Sequence, residues 1–138
     1  MGVKGFFRFG LILSALTGVF FLTSNATGAD MTESDKNWDK VFAKSDMVDA
    51  SKVSFKNRYG IELIGDLYLP KGKASEKLAA IAVSGPFGAV KEQASGLYAQ
   101  TMAERGFAAL AFDPSYTGES GGEPRLVASP DINTEDFS

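Results

Sequence analysis

The chain has 138 residues, of which 44% are hydrophobic and 22% are charged, and its formal net charge is −3. This composition is typical of a globular protein and excludes a disordered or collagen-like chain. The chain has no cysteine for disulfides and no histidine, the commonest general base and metal ligand. We therefore expect neither a metal nor a cofactor, and the lack of a basic run beyond the N-terminal segment argues against a nucleic-acid partner.

The N-terminal segment has the pattern of a signal peptide. Lys4 and Arg8 precede the apolar run Leu11–Leu22, and small residues follow up to Ala29. The run is shorter than the roughly 20 apolar residues that a spanning helix needs, which favours cleavage over the alternative of an uncleaved membrane anchor. We expect residues 1–29 to be removed, a secreted or periplasmic location, and no stable membrane span in the mature chain.

Residues 30–50 form an acidic, mixed leader ahead of the main domain, which we place at residues 51–138. In the leader, Trp38, Val41 and Phe42 are spaced i, i+3, i+4, which predicts a short amphipathic helix packed on the domain. The alternative is a poorly ordered leader.

The main domain begins with a predicted β-hairpin. Val53 and Phe55 alternate with polar residues, and 57–60 (NRYG) supplies a turn. In the second strand, apolar residues and a glycine occupy alternate positions and so share one face, and Pro70 ends the strand. These positions are Ile61, Leu63, Gly65, Leu67 and Leu69. The alternation predicts a hairpin with one polar face.

A β-α-β unit follows. The apolar runs 78–83 (LAAIAV) and 107–112 (FAALAF) are typical of strands that are covered on both faces. Between them a helix is predicted over 90–105, with Gly106 as the residue after its C-cap. We expect its buried stripe to contain Leu97, Tyr98, Thr101 and Met102. The two strands should be parallel, with a right-handed crossover.

The last segment is polar and rich in glycine and proline from Asp113 to Pro130. Thr134, followed by Glu135 and Asp136, has the pattern of an N-cap with acids in the first helical turn. We therefore expect a helix to begin there and to continue past Ser138.

The first candidate site is the junction between strand 78–83 and the helix. Backbone N–H groups at such a junction point over the end of the strand, where the helix dipole favours negative charge, as an acyl-transfer enzyme needs for its oxyanion. Pro86 has no N–H, so Phe87 is the first residue of the loop that can donate with its side chain turned aside. The alternative is a tight turn with packing glycines.

The second candidate is the run 118–122 (GESGG), which matches the G-x-S-x-G pattern of a nucleophile elbow. An elbow needs a strand directly before it and a helix directly after it, and here loop residues stand on both sides. With no histidine to activate Ser120, we interpret the run as a glycine-rich turn.

The third candidate is the acidic group Asp113, Glu119 and Glu123, which could hold a hard cation. The spacing matches no calcium-binding loop, so we favour a solvated loop. Asp113 follows a strand, where functional groups often lie, although an Asx turn would explain it equally well.

The runs VSFKNRYGIELIGDLYLP, GPFGAVKEQASGLYAQTMAERGF and AFDPSYTGESGGEPR together resemble the opening part of bacterial α/β-hydrolases. The resemblance is to the dienelactone-hydrolase-like and X-prolyl-dipeptidyl-peptidase-like group. It implies an α/β fold, namely the N-terminal portion of an α/β-hydrolase, truncated, in which an antiparallel hairpin precedes the β-α-β unit. Many members of the group carry histidine where this chain has Gly85.

The resemblance also implies a role for Phe87, whose backbone N–H would contribute to the oxyanion hole. It places the serine or cysteine nucleophile, the acid and the histidine beyond Ser138. We expect a fragment of an exported hydrolase that acts on ester, lactone or related acyl bonds of small molecules, and that is inactive alone. The alternative is a non-catalytic binding or interaction protein that reuses the first half of the fold.

Overall fold

The structure is a computed structural model and describes residues 38–138. The segment predicted as a signal peptide lies outside the described residues. The described elements are two strands, β1 (Val48–Lys56) and β2 (Glu62–Pro70), then β3 (Ala80–Ser84), helix α1 (Ala94–Glu104), β4 (Ala108–Phe112) and helix α2 (Pro130–Glu135). Neither helix of this part of the chain is long and apolar enough to cross a membrane.

The four strands form one mixed sheet in the order β1-β2-β4-β3. β1 and β2 pair antiparallel, with Lys56 opposite Glu62, so the predicted hairpin and its turn are confirmed. β3 and β4 pair parallel, with Ser84 opposite Phe112, and α1 connects them, so the predicted β-α-β unit is also confirmed. β2 and β4 pair antiparallel, which joins the hairpin to this unit.

The core lies between α1 and one face of the sheet. Small residues of the helix, Ala99 and Ala103, pack on Ala109 and Ala111 of β4, which lets the helix backbone approach the sheet closely. Tyr68 of β2 is fully buried in the same cluster. The polar face predicted for the hairpin is therefore wrong for β2, because α1 covers the face that carries Tyr68.

Helix α1 differs from its prediction in extent and in its buried face. It begins at Ala94 rather than near residue 90, because residues 91–93 form a turn. Leu97 and Tyr98 are exposed, so the predicted buried stripe is wrong for these two residues, whereas Met102 packs against the core as predicted. The small and polar residues Ser95, Gly96, Ala99, Gln100 and Ala103 face the sheet instead. A helix this close to a sheet has no room for large side chains on that face.

The C-terminal end of α1 agrees with its prediction. Gly106 has a φ of +99°, and its N–H donates to the carbonyl of Ala103. The N–H of Phe107 donates to the carbonyl of Met102. These two bonds form a Schellman motif, in which glycine tolerates the left-handed conformation.

The predictions for the leader and for β3 are corrected. The described leader residues 38–47 contain bends and a turn but no helix; Trp38 and Phe42 nevertheless pack against the core, while Val41 is exposed. β3, predicted to be covered on both faces, has no fully buried residue, because it is the edge strand.

The predicted helix start at Thr134 is wrong, because α2 ends at Glu135. Helix α2 begins instead at Pro130, where Ser129 is the N-cap and its side chain accepts a bond from the N–H of Ile132. Proline at the first helical position is preorganised for a helix. The run Ser129-Pro130-Asp131 is therefore the stronger start signal.

Candidate functional site

The loop between β3 and α1 (residues 85–93, the β3–α1 loop) contains a tight turn. The N–H of Ala89 donates to the carbonyl of Pro86 at 3.0 Å, and Gly88 has a φ of +84°. A positive φ at the third position of such a turn is typical of type II. Phe87 is the second residue, and its side chain is 68% exposed. Its N–H donates to no acceptor among residues 38–138.

Gly85 allows the turn to close on itself. A Cβ at this position would lie 2.9 Å from the Cβ of Ala89, which is closer than side-chain carbons normally approach. A larger residue at position 85 would therefore push Ala89 and the turn outward.

The second half of the β3–α1 loop is attached to the end of β4 through Lys91. Its backbone N–H donates to Oδ1 of Asp113 at 2.8 Å, and its Nζ lies 3.1 Å from Oδ2 of the same carboxylate. Neither side chain is exposed. Lys91 was not predicted from the sequence as a site residue. The helix dipole disfavours a cation at the start of a helix unless an acidic partner is near, so a lysine at this position was a sign of such a partner.

Asp113 begins the loop between β4 and α2 (residues 113–129, the β4–α2 loop), and its backbone is fixed on both sides. Its N–H donates to the carbonyl of Ile64, and its own carbonyl accepts from Oγ of Ser120. Its Oδ2 also accepts the N–H of Glu119 at 3.0 Å. The solvated carboxylate expected for Asp113 is wrong because the residue is fully buried. The Asx turn is wrong because the N–H of Ser115, two residues on, donates to Asp136 instead.

The acidic group predicted from the sequence is only partly assembled. Asp113 and Glu119 come together, but Glu123 is exposed and the third member is Glu92. Oxygens of the three clustered carboxylates lie within 4.8 Å of one another. The Nζ of Lys91 lies 2.5 Å from Glu92 and 2.6 Å from Glu119, as well as next to Asp113. A protein ammonium therefore occupies the position that a metal cation would take.

The electrostatics of this cluster favour its charged form. Burial by itself would lower the pKa of Lys91, but hydrogen bonds to Glu119, Glu92 and Asp113 outweigh it and raise that pKa. The hydrogen bond from Lys52 makes the largest contribution to lowering the pKa of Glu119, and the hydrogen bond from Lys91 lowers it further. Because its pKa is raised, Lys91 stays protonated near neutral pH and can act as a fixed donor rather than as a general base.

Ser120 is a structural residue in this fold. It is buried; its Oγ donates to the carbonyl of Asp113 at 2.7 Å and accepts the N–H of Ile64 at 2.9 Å. Neither a strand directly before it nor a helix directly after it is present. The glycine-rich run around it therefore forms a turn against β2, as the sequence analysis interpreted it.

A separate polar cavity of about 240 Å³ lies against the hairpin. Its lining shares no residue with the β3–α1 loop and consists of Trp38, Asp39, Lys40, Ala50, Ser51, Lys52 and Asp66. Lys40 pairs with Asp66 at 2.9 Å and with Asp39 at 2.7 Å. Burial raises the pKa of Asp66, although Lys40 opposes the effect. The charges of the cavity largely neutralise one another.

Curated proteins resemble this chain over most of its described length. PA2218, an uncharacterized protein of Pseudomonas aeruginosa, is 66% identical over 117 residues, which are 84% of this chain and 32% of PA2218. YcjY of Escherichia coli K12, also uncharacterized, is 48% identical over 64% of this chain and 30% of its own length. The thiohydrolase AneE of Aspergillus aculeatus is 37% identical over 63% of this chain and 26% of its own length. No protein-family profile matches the chain.

Solved structures define the fold. The crystal structure of PA2218 superposes with a TM-score of 0.70 and 70% identity over 74% of this chain and 32% of that one. The α/β-hydrolase GrgF of a Penicillium species superposes with a TM-score of 0.56 and 30% identity over 64% of this chain and 29% of that one. The described residues form part of an α/β-hydrolase fold. The chain spans about a third of the length of these relatives.

The candidate site lies where this type of sheet binds ligands. The β3–α1 and β4–α2 loops leave the carboxyl ends of β3 and β4, which are parallel neighbours. Ligands of open α/β sheets bind outside the carboxyl ends of the strands. Phe87 and the Lys91–Asp113 pair are therefore both at the edge of the sheet that carries chemistry in such folds.

Proposed function

We propose that this chain supplies the oxyanion-binding part of a hydrolase that cleaves ester, lactone or related acyl bonds of small molecules. The observation that carries the proposal is the backbone N–H of Phe87, which donates to no acceptor among the described residues and lies at the second position of a tight turn that follows β3. Such N–H groups stabilise the negative charge that develops on the carbonyl oxygen in acyl transfer.

Relatives support the acyl chemistry. The fold is shared with an α/β-hydrolase, and a thiohydrolase is among the similar proteins. Within that fold we assign the chain to the dienelactone-hydrolase-like and X-prolyl-dipeptidyl-peptidase-like group, on the sequence runs quoted above. A thiolester is one acyl bond that this class of enzyme could cleave.

The complete reaction needs groups that residues 38–138 do not supply. The whole chain has no histidine, and Ser120 is committed to two structural hydrogen bonds. We propose that a serine or cysteine nucleophile and its histidine base come from a longer form of the protein, in which an acyl-enzyme forms. The 138-residue chain alone is then inactive.

A chimera tests the proposal. Residues 38–138 replace the aligned segment of PA2218, and both parent and chimera are assayed on nitrophenyl esters and thioesters. Phe87→Pro removes the N–H together with the phenyl ring, at a turn position that favours proline. Phe87→Ala removes the ring but keeps the N–H, so the difference between the two variants reports on the N–H. We expect Phe87→Pro to lower kcat by about 10²- to 10³-fold, while Phe87→Ala retains most of the activity.

The same assays distinguish the alternative. If parent and chimera cleave none of the substrates, or if Phe87→Pro behaves like Phe87→Ala, the acyl-hydrolase proposal fails. A non-catalytic binding protein would then be the better interpretation. Thermal melting of both variants shows whether a loss of activity is a loss of folding.

Export is a second part of the proposal. The charged, apolar and small-residue regions of the first 29 residues have the order of a signal peptide. Mass spectrometry of the protein expressed in a bacterium should find a new N-terminus between Thr27 and Asp30. An intact Met1 in the membrane fraction would contradict cleavage.

A further inference from the structure

Among residues 38–138, the hydrogen bonds of the turn that carries Phe87 are limited to the one that closes it. Its internal hydrogen bond, between Ala89 and Pro86, fixes its shape but not its direction relative to the sheet. That direction depends on the two ends of the β3–α1 loop. One end is the last residue of β3, Ser84, and the other is Lys91.

Lys91 is attached to a single carboxylate at two points. Its backbone N–H and its side-chain ammonium contact different oxygens of Asp113, at 2.8 Å and 3.1 Å. Two attachments fix the orientation of a segment as well as its position. Charged hydrogen bonds are also stronger than neutral ones, and both of these are buried.

The carboxylate itself cannot move easily. Asp113 directly follows β4, and its backbone is bonded to Ile64 and Ser120. Its carboxylate also fills the space beside Gly118, where any Cβ would collide with it. The centre of the sheet thus sets the position of Asp113, and Asp113 sets the position of Lys91.

We propose that Asp113 and Lys91 are positioning residues, which hold the Phe87 N–H at the carboxyl edge of the sheet for the oxyanion. The inference rests on the proposed function for its chemical meaning. Neither residue touches the reacting atoms in this role. Asp113 acts through Lys91, and Lys91 acts through the three residues that separate it from Phe87.

Hydrogen–deuterium exchange of the full 138-residue chain tests the positioning without any activity. Asp113→Asn weakens both attachments, so amides of the β3–α1 loop should exchange about 10- to 100-fold faster, as expected for a lost charged hydrogen bond. Asp136→Asn is the matched control, since Asp136 is a buried carboxylate whose side chain bonds Ser115 and Asn57 and, among the described residues, no residue of the β3–α1 loop. Its effect on the loop should stay within about twofold.

A milder variant covers the case in which Asp113→Asn unfolds the chain. Glu119→Gln keeps the size of the side chain but weakens one of the three contacts of the Lys91 ammonium. It should raise exchange in the β3–α1 loop by about threefold. Unchanged exchange in the loop, or the same increase with Asp136→Asn, would overturn the positioning role.

The PA2218 chimera connects the positioning to the reaction. Asp113→Asn should lower kcat about 10- to 100-fold while KM stays within about twofold, because an oxyanion donor acts mainly in the transition state. Asp136→Asn should change neither. An inactive chimera whose loop exchange still responds would refute the proposed function alone. An active chimera whose kcat ignores Asp113→Asn would refute the positioning alone.

Discussion

The ammonium of Lys91 lies 3.1 Å from the carboxylate of Asp113, and neither side chain is exposed to solvent. The two residues are 22 positions apart and come from loops that follow different strands. Removing two charges from water is costly, and only good geometry with further hydrogen bonds compensates for it. Glu92, Glu119 and the N–H groups of Lys91 and Glu119 supply those bonds.

Lys91→Met should destabilise the chain strongly. The substitution keeps a similar apolar stem but leaves the buried carboxylate of Asp113 without its counter-charge. Breaking one partner of a buried pair typically costs about 3–5 kcal/mol. Urea denaturation followed by circular dichroism would measure the change in the free energy of unfolding.

Lys73→Met is the matched control for this substitution. Lys73 pairs with Glu76 at 3.0 Å, but both side chains are about half exposed. An exposed pair contributes about 0–1 kcal/mol, so this variant should unfold almost like the natural chain. Equal losses for the two lysines would show that the Lys91 pair is not a stabilising contact.

Gly96→Ala should destabilise the chain although alanine is the better helix former. At an exposed helix position the change would gain about 1 kcal/mol. In α1, however, a Cβ at Gly96 would collide with the carbonyl oxygen of Lys91 and approach the ring of Phe42 at 3.1 Å. Backbone cannot shift aside cheaply, so we expect a lower melting temperature.

The control for the glycine is Leu97→Ala on the exposed side of the same helix. It should change the melting temperature little, because Leu97 is about half exposed and alanine favours the helix. A higher melting temperature for Gly96→Ala would mean that α1 does not pack against the β3–α1 loop as closely as described.

Ser120→Ala should cost stability but should not abolish catalysis. The substitution leaves the buried N–H of Ile64 and the carbonyl of Asp113 each short of one partner. An unsatisfied buried group costs about 1–3 kcal/mol, whereas Ser54→Ala on exposed β1 should cost much less. In the PA2218 chimera Ser120→Ala should lower kcat less than Asp113→Asn does at temperatures where the protein stays folded, because Asp113 keeps its carboxylate and its bond to Ile64; a complete loss would contradict the structural role of Ser120.

The strand pattern was predictable from the sequence because it depends on local periodicity. Alternation located the hairpin, two continuous apolar runs located β3 and β4, and Gly106 located the end of α1. Such signals need no knowledge of tertiary contacts. The start of α2 was also predictable, since Ser129 and Pro130 are an N-cap and a first helical residue of the preferred types, and together they are a stronger signal than Thr134.

The arrangement of the site was not predictable in the same way. Lys91 and Asp113 are brought together by the crossover between parallel strands, which sequence spacing does not encode. The buried face of α1 was also missed. Hydrophobic periodicity selects large side chains such as Leu97, whereas the close approach of helix and sheet selects Gly96, Ala99 and Ala103.

Acid should destabilise the chain partly through Glu119. Hydrogen bonds from Lys52 and Lys91 lower the pKa of Glu119 below its ordinary value of 4.5. A carboxyl group whose pKa is lower in the folded state contributes stability that is present above the unfolded value and is lost as pH falls through the folded one. The stabilisation by Glu119 should therefore be complete above about pH 5 and should be lost as the pH falls through the lowered pKa of Glu119.

Glu119→Gln separates this contribution from the other carboxylates. The free energy of unfolding of the variant should fall less steeply than that of the natural chain as pH drops from 5 toward 3, because glutamine does not titrate. Glu76→Gln is the control, since Glu76 contacts only the exposed Lys73 among the described residues. Salt should weaken the Lys52–Glu119 contact, which is half exposed, more than the buried Lys91–Asp113 contact. If Glu119→Gln and Glu76→Gln give the same pH profile, Glu119 is not held by the two lysines in solution.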